Sequence, residues 1–121
     1  MTLVTGVDFT IIPTEDFDRA VDFYENVLGL EKSKQWGELP AQEFETGNLT
    51  IAVVQMSALG QEFSAHKAPI AFRVDDVPAA RAELEARGVT FRGETIDSGV
   101  CHQAIFQDPD GNALDIHHRY A

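Results

Sequence analysis

Apolar residues along this chain follow two periods, strict alternation in short runs and an i, i+3, i+4, i+7 spacing in two longer ones. Val7 to Ile12 alternates as a strand does. Asp16 then stands where a helix cap is needed, and Phe17, Ala20, Val21, Tyr24, Val27 and Leu28 form a helical stripe that stops at Gly29. Three further strand-like runs follow, Leu30 to Trp36, Gln42 to Thr46 and Leu49 to Met56. About sixty residues on, the same order recurs. Ile70 to Val74 reads as a strand, and Asp76 is the cap. Pro78 falls in the first helical turn, Val77, Ala80 and Leu84 form the stripe, and Gly88 is the stop. Val89 to Ile96, Val100 to Gln107 and Ala113 to His118 complete the second set. Thr46-Gly47-Asn48 and Asp110-Gly111-Asn112 each join the last two strands of a set by a tight turn.

The pattern predicts an α+β chain of two βαβββ modules within a single domain, 1–121. Module 1 spans 1–56 and module 2 spans 68–121, with a weakly periodic linker over 57–67. Neither four-stranded sheet has enough chain of its own to cover both faces. The sheets are therefore expected to pair, either within the chain or across a homodimer.

Composition narrows the partners. Twenty acids against 9 bases give a net charge of −11, which disfavours nucleic acid and anionic membrane surfaces. An apolar fraction of 44% with eight Phe, one Trp and two Tyr points to a folded domain rather than an acidic disordered tail. Cys101 is the only cysteine, so no intrachain disulfide forms. The start of the sequence lacks the basic and long apolar segments of a secretion signal, and the expected location is cytoplasmic.

The segment Asp16-Phe17-Asp18-Arg19-Ala20-Val21-Asp22-Phe23-Tyr24 runs into Val27-Leu28-Gly29-Leu30. With the helix start Val74-Asp75-Asp76-Val77 and the turn Phe106-Gln107-Asp108-Pro109-Asp110-Gly111-Asn112, it resembles the vicinal oxygen chelate superfamily. That superfamily includes glyoxalase I, extradiol dioxygenases, fosfomycin-resistance enzymes and bleomycin-binding proteins. The resemblance implies curled mixed sheets forming a cup, the glyoxalase-like fold. It also implies a divalent metal on the cup floor, held from four strand positions. Those positions fall here on Phe9, Pro69, Asp115, and Ile51 or the residue next to it. Phe, Pro and Ile carry no donor atom, so the expectation is no metal and no cofactor, with Phe9, Ile51 and Pro69 forming an apolar floor.

Strand alternation puts Asp115 and His117 on one face. They are the candidate catalytic pair, a carboxylate beside an imidazole, should a reaction be catalysed. Of the next strand, either Cys101, Gln103 and Ile105 or His102, Ala104 and Phe106 share that face. Trp36, Phe44, Phe63 and Phe91 are candidate walls. Cys101 reads as a packed thiol rather than a nucleophile, because His102 points the opposite way. Two functional readings follow. One is a metal-independent protein that sequesters an aromatic or cationic small molecule, in the manner of the bleomycin-resistance proteins. Its ligand site comprises Phe9, Ile51, Pro69, Trp36, His102, Asp115 and His117, with Asp115 attracting positive charge. The alternative is a metal-dependent glyoxalase- or dioxygenase-type lyase or isomerase using Asp115, His117 and His102.

Overall fold

A computed structural model describes residues 2–121, which divide into two compact units, one up to Phe63 and one from Ser64. Residues 64–67 of the expected linker thus belong to the second unit. There the backbone of His66 donates to Asn112 Oδ1 at 2.8 Å and accepts from Ala113 at 2.9 Å.

The first unit is built from β1 (Thr10–Thr14), α1 (Phe17–Asp22), β2 (Glu31–Gln35), β3 (Ala41–Glu45) and β4 (Thr50–Gln55). Asp16 caps α1 by accepting from Arg19 N at 3.2 Å, and the helix continues as a wider π turn over Phe23–Val27. The sheet order is β1-β4-β3-β2, with β1 parallel to β4 and the other pairs antiparallel. β1 begins three residues later than the alternation from Val7 predicts, because its partner β4 begins only at Thr50. Without a partner, Leu3, Val4 and Val7 are exposed.

The second unit repeats this plan with β5 (Ile70–Arg73), α2 (Val77–Ala86), β6 (Phe91–Asp97), β7 (Cys101–Gln107) and β8 (Ala113–Arg119). The order is β5-β8-β7-β6, and β5 runs parallel to β8. Asp76 caps α2 through Ala79 N at 2.9 Å, with proline in the first turn.

β4 is the most buried strand, with Ile51, Ala52, Val53 and Val54 each at 1% exposure or less, so it packs on both faces. β2 is exposed along its whole length, and its Lys32 and Lys34 discourage edge-to-edge association. Toward its helix the first sheet presents Ile12, Phe44, Ile51 and Val53, and the Phe44 ring lies 6.0 Å from that of Tyr24. Toward α2 the second sheet presents Ala104, Phe106, Leu114 and Ile116, and the Phe91 and Phe106 rings lie 5.0 Å apart, tilted by 50°. Arg81 on α2 covers Phe91 at 4.8 Å and donates to Gly93 O at 2.9 Å, where β6 bulges between Arg92 and Ile96. Among the described residues no helix is long and apolar enough to cross a membrane.

The β7–β8 turn is organised by buried Asp108. Its carboxylate accepts from Asp110 N and Asn112 N at 2.9 Å each and from Asn112 Nδ2 at 2.8 Å. Gly111 supplies the positive φ of +89° that the turn requires. Asp108→Ala strands these donors and is expected to destabilise the protein by about 2–3 kcal/mol in urea unfolding, with Asp108→Asn losing less.

Candidate functional site

Each sheet has a helix on one face, so the residues available for binding stand on the other, here called the far face. In the first unit the far face carries Ala41, Ala52 and Val54, all nearly inaccessible, with Ile11, Trp36 and Met56 packed on them. Ala41 and Ala52 offer only methyl groups, so the indole lies close to the sheet. A turn after β2 fixes Trp36, whose backbone N–H bonds Ala41 O at 3.1 Å and whose C=O accepts from Leu39 N at 3.0 Å. Its indole Nε1 donates to Glu43 Oε2 at 2.6 Å. Phe9 meets Trp36 edge to face, centroids 5.2 Å apart at 68°, and stays 40% exposed. Two residues beyond Glu43, Glu45 accepts from the hydroxyls of Ser33 and Thr50, which hold its carboxyl below the usual range. The result is an aromatic surface bordered by anchored carboxylates.

The far face of the second unit is polar. The β7–β8 register pairs Ile105 with Asp115 and Gln103 with His117, while β5 places Ala71 beside Asp115 and Arg73 beside His117. Of the two alternating sets on β7, the one with Cys101, Gln103 and Ile105 therefore shares the face of Asp115. Asp115 is only 3% exposed, and its Oδ1 has no hydrogen-bond partner among the described residues. Burial pushes its carboxyl up, with the nearby charge of His117 and the Ala104 N–H pulling the other way. Among the described residues no hydrogen bond joins Asp115 to His117, so the orienting contact expected of a catalytic pair is not made.

The remaining candidates separate. Ile51 lies on the helix-facing side with Phe44, and Ala52 takes the far-face position, a correction of one residue set by the β3–β4 register. Pro69 precedes β5 and is exposed. Phe44 and Phe91 pack toward their helices, and Phe63 is half-buried. His102 is on the opposite face from Asp115 and His117, because it pairs with His118. There its ring lies 4.7 Å from Tyr120 and its Nε2 is 3.3 Å from Asp97 Oδ2. Tyr120 also donates to Asp97 Oδ1 at 2.6 Å, which lowers the Asp97 pKa and raises that of the phenol. The trio His102, Asp115 and His117 therefore does not converge. Glu43 escaped the sequence reading, since only the hairpin register shows that a residue on β3 reaches the indole.

A divalent metal at the position the resemblance implies does not fit this donor set. Phe9, Pro69 and either Ile51 or Ala52 offer carbon only, leaving Asp115 alone. Among the described residues no group of three or more His, Cys, Asp or Glu is placed to hold a metal ion.

A family model described as Glyoxalase/Bleomycin resistance protein/Dioxygenase superfamily matches residues 6–116. The uncharacterized protein YraH of Bacillus subtilis (strain 168) is 25% identical over 84% of this chain and 89% of its own. Among solved structures, TnmS3, an antibiotic-binding protein from Streptomyces sp. CB03234, is 25% identical with a TM-score of 0.81, covering 98% of this chain and 99% of that one. A glyoxalase-family protein from Bacillus anthracis superposes with a TM-score of 0.82 at 21% identity, covering 98% of both chains.

Since burial raises the Asp115 pKa, the folded chain binds its proton more tightly than the unfolded one. The corresponding stability is present at low pH and is lost as pH rises from the usual carboxylate range through the raised value. Asp115→Val, which removes the orphaned oxygen, is expected to be more stable than the parent by about 1–3 kcal/mol near neutral pH. In urea unfolding across pH, that advantage shrinks as the medium becomes acidic enough to protonate the parent's carboxyl.

Proposed function

The chain belongs to the Glyoxalase/Bleomycin resistance protein/Dioxygenase superfamily, and from that premise we propose that it sequesters a small aromatic ligand without a metal ion. The observation that carries this reading is the far face of the first sheet. Phe9, at the position where the family resemblance would put a metal ligand, and Trp36 form an accessible aromatic pair on an apolar bed. A planar ring has an apolar face to offer such a surface, and stacking on Trp or Phe is worth about 0.5–1.5 kcal/mol beyond the area it buries. Glu43 and Glu45 border the surface with negative charge, which favours a ligand bearing positive charge. The net charge of −11 acts in the same direction at longer range. Similarity to an antibiotic-binding protein over nearly the whole of both chains supports a binding role.

The metal-dependent lyase, isomerase or dioxygenase reading has less to stand on. It needs donors gathered at one point, and His102 is held on the opposite face of its sheet from Asp115 and His117.

Trp36 is the only tryptophan, so its emission reports directly on the proposed surface. Titration with proflavine, a planar aromatic cation, is expected to quench it saturably. Phe9→Ala and Trp36→Leu, followed by calorimetry, should weaken binding by roughly tenfold each. Unchanged emission and no heat of binding across a panel of planar aromatics would sink the proposal, as would stoichiometric metal in protein purified without chelators.

A further inference from the structure

We propose that Arg73, His117 and Arg119, on the far face of the second sheet, form a recognition site for a small oxyanion, the carboxylate or phosphate group of a ligand. The site shares no residue with the aromatic surface of the first unit, and none of the three stands where the family resemblance implies a metal ligand. Its starting point is how this chain distributes its few cations. Twenty acids stand against 9 bases, so a carboxylate is available for nearly any arginine. Arg19, Arg81 and Arg87 accordingly pair with Asp16, Glu85 and Glu83 within 4.0 Å. Arg73 and Arg119 are exposed, and neither makes an ion pair or a side-chain hydrogen bond among the described residues. Two unpaired arginines on one face of so acidic a chain leave their charge for a ligand to meet.

Strand register brings the two together. β5 places Arg73 directly beside His117, one strand spacing of about 4.8 Å away. Arg119 follows His117 by two residues and so shares its face, about 7 Å further along β8. The two arginine Cα atoms are therefore about 8 Å apart on the diagonal, a span that two long guanidinium side chains close around one carboxylate or phosphate. His117, half-buried between them, adds a ring N–H, and its register partner Gln103 adds an amide. A guanidinium fork meets two oxygens of such a group at once. Asp115 is the one acid that β5, β7 and β8 place on this face, and it is 3% exposed in the next row, while Glu94 lies in the β6 bulge beyond β7. At physiological ionic strength, charges more than about 8 Å away are largely screened, so the distant acids count for little here. Locally the sign is positive.

Calorimetry on the intact chain compares benzoate and phenyl phosphate with neutral benzamide. The better anion is expected to bind at least about tenfold more tightly than benzamide, and its identity tells carboxylate from phosphate. Arg73→Gln and Arg119→Gln should each remove most of that preference. A second readout needs no ligand. Cys101, the only cysteine, is the register partner of Arg119, and because Tyr120 N donates to Val100 O at 2.9 Å, the 101/119 pair is of the closely spaced kind. Its rate of alkylation by anionic iodoacetate relative to neutral iodoacetamide therefore reports the local charge. That ratio is expected to exceed the ratio for N-acetylcysteine amide and to fall in both glutamine variants. Equal affinity for anions and benzamide, anion affinity unchanged in the variants, no binding at millimolar concentration, or an alkylation ratio at or below that of the free thiol would each overturn the proposal. Quenching of Trp36 by proflavine is expected in the parent and both variants alike, so loss of the anion preference leaves the aromatic surface standing.

Discussion

Each sheet of this protein has one helix to cover it, and that single constraint shapes everything else. A four-stranded sheet has two faces, and α1 or α2 can bury only one. The side chains of the helix-facing set, Phe44, Ile51 and Val53 in the first unit and Phe106, Leu114 and Ile116 in the second, are accordingly large and tightly packed. The opposite set includes the small, buried Ala41, Ala52 and Val54 in the first unit and Asp115 and His117 in the second.

The two far faces differ although their units share one plan. The first has become apolar and aromatic, with small residues under Trp36 and carboxylates held at its border by Ser33 and Thr50. The second carries one buried acid, Asp115, among aliphatic or half-buried neighbours. A buried carboxylate with an unbonded oxygen works against stability. The capped helices, the bulge clamped by Arg81 and the turn built around Asp108 supply ordinary local stability to offset it.

Much of this is legible in the sequence. The alternation and the helical stripe located both helices and all eight strands, and Asp16 and Asp76 are the caps their positions suggested. The carbon-bearing residues at Phe9 and Pro69 already argued against a metal centre, because donor chemistry is written in residue type. The start of β1 was less legible, since the alternating run from Val7 begins ahead of the point where its parallel partner β4 starts, and its first residues have no strand to pair with. Glu43 was invisible as a partner of Trp36 because that contact depends on how one strand of a hairpin is aligned with the other.

Local sequence thus determined which residues share a face, since side chains alternate along any strand with a period of two. It could not say which face a helix would cover. That choice depends on register between strands far apart in the chain, and a slip of one residue reverses every side chain. Tertiary pairing placed Ile51 toward the helix and Ala52 away from it, set His102 against Asp97 and Tyr120, and left Asp115 Oδ1 buried without a partner among the described residues.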